Sequence, residues 1–209
     1  MDNFSAYQSK TRTTAVYPHS HTIGAPRALS YLSLGLNGES GEVADFLTRV
    51  IRDGGGAPDA DTRALLIKEL GDVLWYVSET AHHLDAKLYT LTSGIDSITV
   101  YQSTGRGTEQ YPHRDYTGSP AALIWLTLSL NATAGAVADQ VKKTLRDDDG
   151  EMSAERRATV LESLRRVIWC LSELSLHLQS SLGEVAGGNI AKLADRRERG
   201  TLQGSGDNR

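Results

Sequence analysis

An internal duplication is the feature that most constrains how this chain can fold. Residues 26–88 align with residues 120–182 without gaps at a constant offset of 94, and more than a third of the aligned pairs are identical. The apolar positions match especially well, namely Leu32/Leu126, Leu34/Leu128, Leu36/Leu130, Val43/Val137, Leu70/Leu164, Val73/Val167, Trp75/Trp169, Leu84/Leu178 and Leu88/Leu182. Two segments with one apolar pattern are expected to share one fold, so the chain contains two copies of the same unit.

Four acidic positions distinguish the copies. The first copy has carboxylates there, which are Glu39, Glu42, Glu69 and Asp72. The second copy has non-acidic residues at the equivalent positions, which are Thr133, Ala136, Ser163 and Arg166. Because the two copies are expected to pack alike, a difference at four acidic positions together is better explained by chemistry than by packing.

Apolar residues recur at helical spacing within each copy, and strand-type alternation is scarce. The pattern predicts helices over residues 28–52, 59–89, 121–146 and 153–181. A helical hairpin with an apolar stripe cannot bury that stripe alone. We therefore expect an all-α fold in which the two tandem hairpins pack as a pseudo-two-fold four-helix bundle, with extra terminal helices.

The predicted organisation is a single all-α domain over residues 1–209. Between the copies, residues 92–119 are rich in Gly, Ser, Thr and Tyr and are expected to form a linker, with one short helical or extended piece near residues 95–101. A further helix is predicted over residues 185–199, within a C-terminal tail of residues 184–209 that ends in a Gly-rich segment.

Composition excludes several classes of protein. A net charge of -4 and a pI of about 5.9 argue against a general binder of nucleic acid or of membrane surfaces. The single cysteine, Cys170, cannot form an internal disulfide and lies in an apolar run, which indicates a buried thiol. The N-terminal segment is polar, and the apolar stretch of residues 121–130 is too short to span a bilayer. These features predict a cytoplasmic protein without a membrane partner.

The carboxylates form two pairs with i, i+3 spacing, which places each pair on one helix face. Glu39 pairs with Glu42, and Glu69 pairs with Asp72. Four carboxylates on facing helices would repel one another and lose solvation, so a cation is expected there. Oxygen ligands without His or Cys favour Mg²⁺ or Mn²⁺, whereas a di-iron site would need Glu-x-x-His. The alternative is two solvated helix faces with ordinary ion pairs.

Three segments resemble a known family. LGLNGESGEVAD (residues 34–45), RDGGG (52–56) and KELGDVLWY (68–76) are similar to MazG-like all-α nucleoside triphosphate pyrophosphohydrolases, whose signature is Glu-x-x-Glu, a spacer and Glu-x-x-Asp. Residues 6–18 and 189–209 resemble the two ends of single-repeat members. The departure is the second repeat, which lacks all four ligand positions. Two-repeat relatives, such as the dimeric dUTPases, suggest one catalytic and one supporting repeat.

The resemblance implies hydrolysis of a nucleoside triphosphate to the monophosphate and pyrophosphate. It implies that Mg²⁺ is held by Glu39, Glu42, Glu69 and Asp72, and a carboxylate such as Glu39 can act as the base towards water. It assigns phosphate binding to the tail, with candidates Asn189, Lys192, Arg196 and Arg199. Lys68 is a further candidate, although its position on the helix turns it away from the acidic face. Backbone N–H groups of Gly204, Ser205 and Gly206 are also candidates.

Polar residues that both copies share are assigned to folding instead, because they persist where the acidic site is gone. They are Asp45/Asp139, Glu79/Glu173 and His83/His177, and Trp75 is likewise expected in the core because Trp169 replaces it in the second copy. Arg12 and Tyr17 are further candidates for lining the nucleotide pocket. In the second copy, Arg165 and Arg166 either pair with Asp139 or Glu162 or form an anion pocket.

Two other functions remain open at this stage. The bundle can be a catalytically inactive module that binds nucleotides or regulates a partner, or a purely structural dimerisation unit. The pattern is also compatible with a homodimer of the pseudo-dimeric chain.

Overall fold

The computed structural model describes residues 1–55, 57–104 and 110–202, and these residues are mainly helical. The α-helices are α1 (Phe4–Thr11), α2 (Pro26–Gly54), α3 (Ala60–His83), α4 (Ile98–Thr104), α5 (Pro120–Asp147), α6 (Ala154–His177) and α7 (Leu182–Glu198). Short 3-10 helices cover Arg12–Thr14 and Leu88–Thr92. The described ranges contain no β-strand, only an isolated bridge between Asn3 and Ser97. The predicted all-α class is confirmed.

Four long helices form the predicted bundle. Helices α2 and α3 pack as one hairpin, α5 and α6 pack as the other, and the hairpins meet through α2 against α5 and α3 against α6. Equivalent residues of the two copies fill the centre, where Leu36 and Leu130, and likewise Leu70 and Leu164, are fully buried. Burial of each side chain of this size contributes about 1.5–3 kcal/mol, so the shared apolar frame stabilises both hairpins in the same way.

Local sequence sets the helix ends. The Asp59 side chain accepts a hydrogen bond from the Thr62 backbone N–H at 2.8 Å and caps the start of α3. Gly55 follows α2 with φ 68°, a left-handed conformation that glycine adopts readily. The predicted extension of the second helix to residue 89 was wrong, because α3 ends at His83 and Asp85 has φ 49°.

The duplication extends beyond the aligned segments. Helix α4 occupies part of the predicted linker and is the counterpart of α1 at the same offset. In α1, the Gln8 side chain accepts a hydrogen bond from the Leu88 backbone N–H at 3.0 Å. In α4, the Gln102 side chain accepts the equivalent bond from the Leu182 N–H at 3.1 Å. Each copy therefore begins with a short helix whose glutamine fixes the chain that leaves its own second long helix.

The shared residues Glu79 and His83 form a buried polar network with Tyr17. The Tyr17 hydroxyl donates to Glu79 Oε2 at 2.8 Å and lies 3.0 Å from His83 Nε2, while Arg12 forms an ion pair with Glu79. The same arrangement recurs in the second copy, where Tyr111 contacts Glu173 at 2.5 Å and His177 at 3.0 Å. The assignment of Glu79/Glu173 and His83/His177 to the architecture is confirmed.

Arg12 and Tyr17 were also candidates for lining a nucleotide pocket, and the structure does not support that role. Tyr17 is 6% exposed and its hydroxyl is engaged inside the protein. Arg12 also donates to the Ser20 backbone carbonyl at 2.6 Å. Both side chains hold the N-terminal segment against α3.

The residues that the two copies share differ in burial and in how much they contribute to stability. Trp75 and Trp169 are buried, as predicted, and the Trp75 indole N–H donates to Thr14 Oγ1 at 3.0 Å. Leu34 and Leu128 belong to the matched apolar frame, yet they are 72% and 67% exposed. The shared residue Asp45 forms only an exposed ion pair with Arg49, and exposed pairs contribute little to stability.

Helix α5 is long and apolar enough, by length and composition, to cross a membrane. Its apolar character therefore extends beyond the stretch of residues 121–130. The helix packs against both α2 and α6, and its inward residues Leu123, Leu126 and Leu130 are fully buried. A core helix passes the same test, so this is weak evidence for a membrane span.

Candidate functional site

Three of the four predicted carboxylates meet between α2 and α3. Glu39 comes from α2, whereas Glu69 and Asp72 come from one face of α3. Each offers one carboxylate oxygen, and these oxygens all lie within 4.8 Å of one another. Glu69 is 2% exposed, and the other two are half-buried. We call these three residues the acidic cluster.

The carboxylates of the acidic cluster act on one another's charge. The pKa of Glu39 rises from 4.5 to about 8, mainly because the carboxyl is buried and further because of the charges of Asp72, Glu42 and Glu69. The positive charge of Lys192 acts in the opposite direction. Raised pKa values of this kind arise where like charges are held together away from water.

Glu42, the fourth predicted ligand, lies outside the acidic cluster. It is exposed and follows Glu39 by one helical turn on α2. Its charge nevertheless reaches the cluster, since it contributes to the raised pKa of Glu39.

Helix α7 covers the acidic cluster. The Asn189 amide donates to Asp72 Oδ1 at 2.9 Å, and Lys192 forms an ion pair with Asp72 Oδ2. The Tyr7 hydroxyl donates to Asn189 Oδ1 at 3.0 Å and thereby fixes the orientation of the amide. Because Asn189 is 4% exposed, this contact is built into the core.

A cleft of about 360 Å³ opens beside the cluster, between α3 and α7. All five residues predicted to bind phosphates line it, namely Lys68, Asn189, Lys192, Arg196 and Arg199. Lys68 reaches this cleft although it does not share the face of the carboxylates. Arg196 is 4% exposed, and Arg199 forms an ion pair with Asp195. The remaining candidates, Gly204, Ser205 and Gly206, lie outside the described residues.

Gly71 is a site residue that the sequence reasoning missed. A β-carbon at this position would lie 2.9 Å from the Asn189 β-carbon and 3.4 Å from the Val185 carbonyl oxygen. The absence of a side chain therefore lets α7 approach α3. The comparison of the copies contained the signal, because Arg165 replaces Gly71 in the second copy.

Aromatic side chains next to the acidic cluster were also missed. Tyr76 follows Asp72 by one turn, and its ring packs so closely on α2 that a β-carbon at Gly35 would lie 2.1 Å from it. Burial raises the pKa of Tyr76 well above its usual range. Tyr31 is hydrogen-bonded to Tyr76, is 42% exposed and stacks on Tyr17 at 5.2 Å between ring centroids. The counterparts of Tyr76 and Tyr31 are Cys170 and Trp125.

Among the residues that the structure describes, the second copy has no cluster equivalent to this one. Thr133 and Ser163 donate to carbonyl oxygens of their own helices, at 2.7 Å to Ser129 and 3.0 Å to Thr159. Arg165 donates to Glu162 at 2.8 Å, which is one of the two expected pairings.

The helix that covers the acidic cluster, α7, has no counterpart of equal length. The segment equivalent to the start of α7 is the 3-10 helix Leu88–Thr92, which has 5 residues against 17 in α7. The second copy therefore differs from the first in two ways. It has no carboxylates at the positions of the acidic cluster, and its segment equivalent to α7 is a short 3-10 helix.

The donor set fits a hard divalent cation. Glu39, Glu69 and Asp72 supply only oxygen atoms, and the like charges of Asp72 and Glu69 raise the pKa of Glu39. Carboxylates held together in this way suit Mg²⁺ or Mn²⁺ rather than metals that prefer nitrogen or sulfur.

The fold and site define an all-α bundle of two repeats with an acidic cluster under a C-terminal helix. The chain belongs to the family of the "Gene 37 protein" of Mycobacterium phage L5, to which it is 38% identical over 112 residues. The match covers 98% of the phage protein and 54% of this chain. No family profile and no solved structure matches the chain. Because the name of the phage protein states no activity, function must be argued from the site.

Proposed function

We propose that the protein is a Mg²⁺-dependent pyrophosphohydrolase that converts a nucleoside or deoxynucleoside triphosphate into the monophosphate and pyrophosphate. The observation that carries the proposal is the contact between two opposite features. An acidic cluster of three carboxylates, with oxygens within 4.8 Å, adjoins a cleft lined by Lys68, Lys192, Arg196 and Arg199. The acidic groups can bind a cation, and the neighbouring basic groups can bind an anion. Together they suit a polyphosphate that carries a bound metal ion.

The carboxylates would hold the cation. Glu39, Glu69 and Asp72 are its ligands in this proposal, with Glu42 beside them on α2. Bound there, Mg²⁺ would neutralise charge on the phosphates and lower the pKa of a bound water.

Glu39 is the best candidate for the general base. A bound cation need not engage both oxygens of this carboxylate, so one oxygen is left to accept a proton. Its carboxylate is half-buried at the cluster, where it can take a proton from the attacking water.

The α7 side chains would hold the phosphates. Lys192 and Arg199 offer charged donors along the cleft, and Arg196 adds a guanidinium that is nearly buried. Guanidinium groups bind phosphate oxygens through two parallel hydrogen bonds, so they stabilise a pyrophosphate leaving group well. Lys68 approaches from α3 on the opposite wall.

The aromatic side chains are suited to the nucleoside end of the substrate. Tyr31 is partly exposed, contacts Tyr76 and stacks on Tyr17. The proposed role in the cell is control or cleaning of the nucleotide pool in the cytoplasm. The acidic balance of the chain argues for a small-molecule substrate rather than nucleic acid.

The test is release of pyrophosphate from each common ribonucleoside and deoxyribonucleoside triphosphate in the presence of Mg²⁺. Glu69→Gln and Asp72→Asn should lower kcat/KM about 100-fold, or about 2.7 kcal/mol, because each removes one charged ligand of the cation. Glu42→Gln should have a smaller effect, since Glu42 is exposed and lies outside the acidic cluster. Asp45→Asn is the matched control, since Asp45 lies on α2 in an exposed ion pair with Arg49. Absence of metal-dependent turnover on every nucleotide would refute the proposal.

A second candidate is an inactive nucleotide-binding or regulatory module. The contacts of Asp72 favour it, because Asn189 and Lys192 already engage both carboxylate oxygens. Tight nucleotide binding without turnover in either Mg²⁺ or Mn²⁺ would support this candidate over the enzyme.

A further inference from the structure

We propose that Lys192 is a displaceable counter-ion: it neutralises the acidic cluster when no metal is bound, and metal binding transfers it from Asp72 to the phosphates. This inference rests on the proposed function and adds a coupling between metal and substrate. It assigns to Lys192 two partners that it contacts in turn.

The first partner is visible in the structure. Lys192 reaches back from α7 to form an ion pair with Asp72 Oδ2, while Asn189 occupies Oδ1. The side chains of Lys192 and Asp72 are only 22% and 17% exposed, so water screens their charges weakly. The ammonium group also acts on Glu39, because its charge lowers the pKa of that carboxyl. One lysine thus serves as counter-ion for more than one carboxylate.

A divalent cation would compete for the same oxygen. An ammonium group and a dication at Asp72 would repel each other in a partly buried site, where electrostatic interactions are stronger than in water. Asn189 has little freedom to move, since it is 4% exposed and held by Tyr7. The lysine ends a flexible four-carbon chain and is the group that can leave.

The second partner would be a phosphate group bound in the cleft that Lys192 lines. Lys192 lines the cleft together with Lys68, Arg196 and Arg199. Asp195 also lines the cleft, where it pairs with Arg199. Displacement of Lys192 into the cleft would add a positive charge to three others against this single carboxylate, and an anion such as a polyphosphate would compensate it. Metal binding would therefore prepare the cleft for phosphate, and phosphate would in turn favour metal binding, since coupling between two ligands is reciprocal.

Titrations of the full-length protein with Mg²⁺ and with inorganic pyrophosphate test this inference without turnover. Lys192→Met keeps the length of the side chain and removes the charge. We expect it to bind Mg²⁺ about tenfold more tightly than the wild type, because the competing cation is gone. The variant should bind pyrophosphate about tenfold more weakly than the wild type in saturating Mg²⁺, since one charged contact is lost. Without metal, its affinity for pyrophosphate should equal that of the wild type.

Lys142→Met is the matched control, since Lys142 forms an exposed ion pair with Asp139 in the second copy. It should change neither affinity. Lys192→Gln provides a second variant if Lys192→Met does not fold.

Unchanged or weaker Mg²⁺ binding in both Lys192 variants would overturn the inference. An equal loss of pyrophosphate affinity with and without Mg²⁺ would also overturn it, as would absence of pyrophosphate binding to the Mg²⁺-loaded wild type. Failure of the proposed function is a different result, namely intact coupling in these titrations with no nucleotide hydrolysed.

Discussion

Gly71 and Asn189 are packed so closely that a β-carbon on residue 71 would lie 2.9 Å from the Asn189 β-carbon. This contact sets the distance between α3 and α7, and Asn189 in turn donates to Asp72 at 2.9 Å. The second copy has Arg165 at the equivalent position, and the segment equivalent to the start of α7 is there the short 3-10 helix Leu88–Thr92. Because residue 71 has no side chain, α7 can pack closely against α3 of the first copy.

Substitution of Gly71 is predicted to displace α7. Gly71→Ala should lower the free energy of unfolding by about 1–3 kcal/mol through overpacking, although alanine is the better helix former. Gly71→Arg, which copies the second repeat, should abolish Mg²⁺-dependent turnover. Gly135→Ala is the control, because a β-carbon there has open space, and it should stabilise the protein slightly. Chemical denaturation gives the free energy of unfolding of Gly71→Ala and Gly135→Ala. Equal changes in the two variants would contradict the prediction.

Glu39 is predicted to make the metal-free protein less stable as pH rises. Its pKa is about 8 in the folded state against an ordinary value of 4.5, so the folded state binds a proton more tightly than the unfolded state. Its contribution is fully present below pH 4.5 and is lost as pH approaches 8, at a cost on the order of a few kcal/mol. Thermal unfolding in EDTA from pH 4.5 to 8.5 should show this decline, and Glu39→Gln should flatten it. A steeper decline in the variant would contradict the assignment.

The same group predicts proton release on metal binding. At pH 7 the Glu39 carboxyl is largely protonated in the metal-free protein, and a metal ligand must be ionised. Mg²⁺ binding should therefore release about one proton per chain at pH 7 and almost none at pH 9. Calorimetry in buffers with different ionisation enthalpies measures the number. Release that does not depend on pH would exclude Glu39 as the source.

The buried Glu79 is predicted to matter for stability and not for chemistry. Glu79→Ala leaves Arg12 without its ion-pair partner and should cost about 3–5 kcal/mol of unfolding free energy. Glu173→Ala tests the equivalent carboxylate, which accepts a hydrogen bond from Tyr111. Urea denaturation gives the loss, and Mg²⁺ affinity of the folded fraction should stay unchanged. A loss under 1 kcal/mol would show that the network is dispensable.

Tyr76 is predicted to contribute to substrate binding. Tyr76→Cys places the residue of the second copy beside the acidic cluster and removes the partner of Tyr31. KM should rise about tenfold, as expected for loss of one aromatic contact, with Mg²⁺ affinity nearly unchanged. Tyr116→Cys is the control, because Tyr116 is 70% exposed in the segment that precedes α5. Equal KM values for Tyr76→Cys and the wild type would remove Tyr76 from the site.

The sequence predicted the helices and their bundle well, because apolar residues at helical spacing must be buried and two hairpins offer few ways to bury them. It did not show which apolar positions face inwards at every point. Leu34 and Leu128 match between the copies, yet both are exposed, since spacing alone does not separate the edge of an apolar stripe from its centre. The short helix α1 was missed because only a few of its residues, such as Phe4 and Tyr7, are apolar.

The acidic cluster was accessible from the sequence because the second copy acted as an internal control for Glu39, Glu69 and Asp72. The same comparison could have identified Gly71 and Tyr76, but their roles depend on contacts across helices. A glycine matters here only because α7 approaches it, and no local pattern predicts that approach. The basic residues of α7 were found through helical spacing and resemblance, and their position beside the cluster required the structure.

Helix α7 follows the second copy along the chain but packs against α3 of the first. The carboxylates and the lysine that neutralises them consequently come from opposite ends of the duplicated sequence. Separation of the two copies by a cut between α4 and α5 would leave one fragment with an uncompensated acidic cluster and the other with a basic helix that has no partner. The site therefore depends on both ends of the chain, since the acidic cluster precedes the second repeat and α7 follows it.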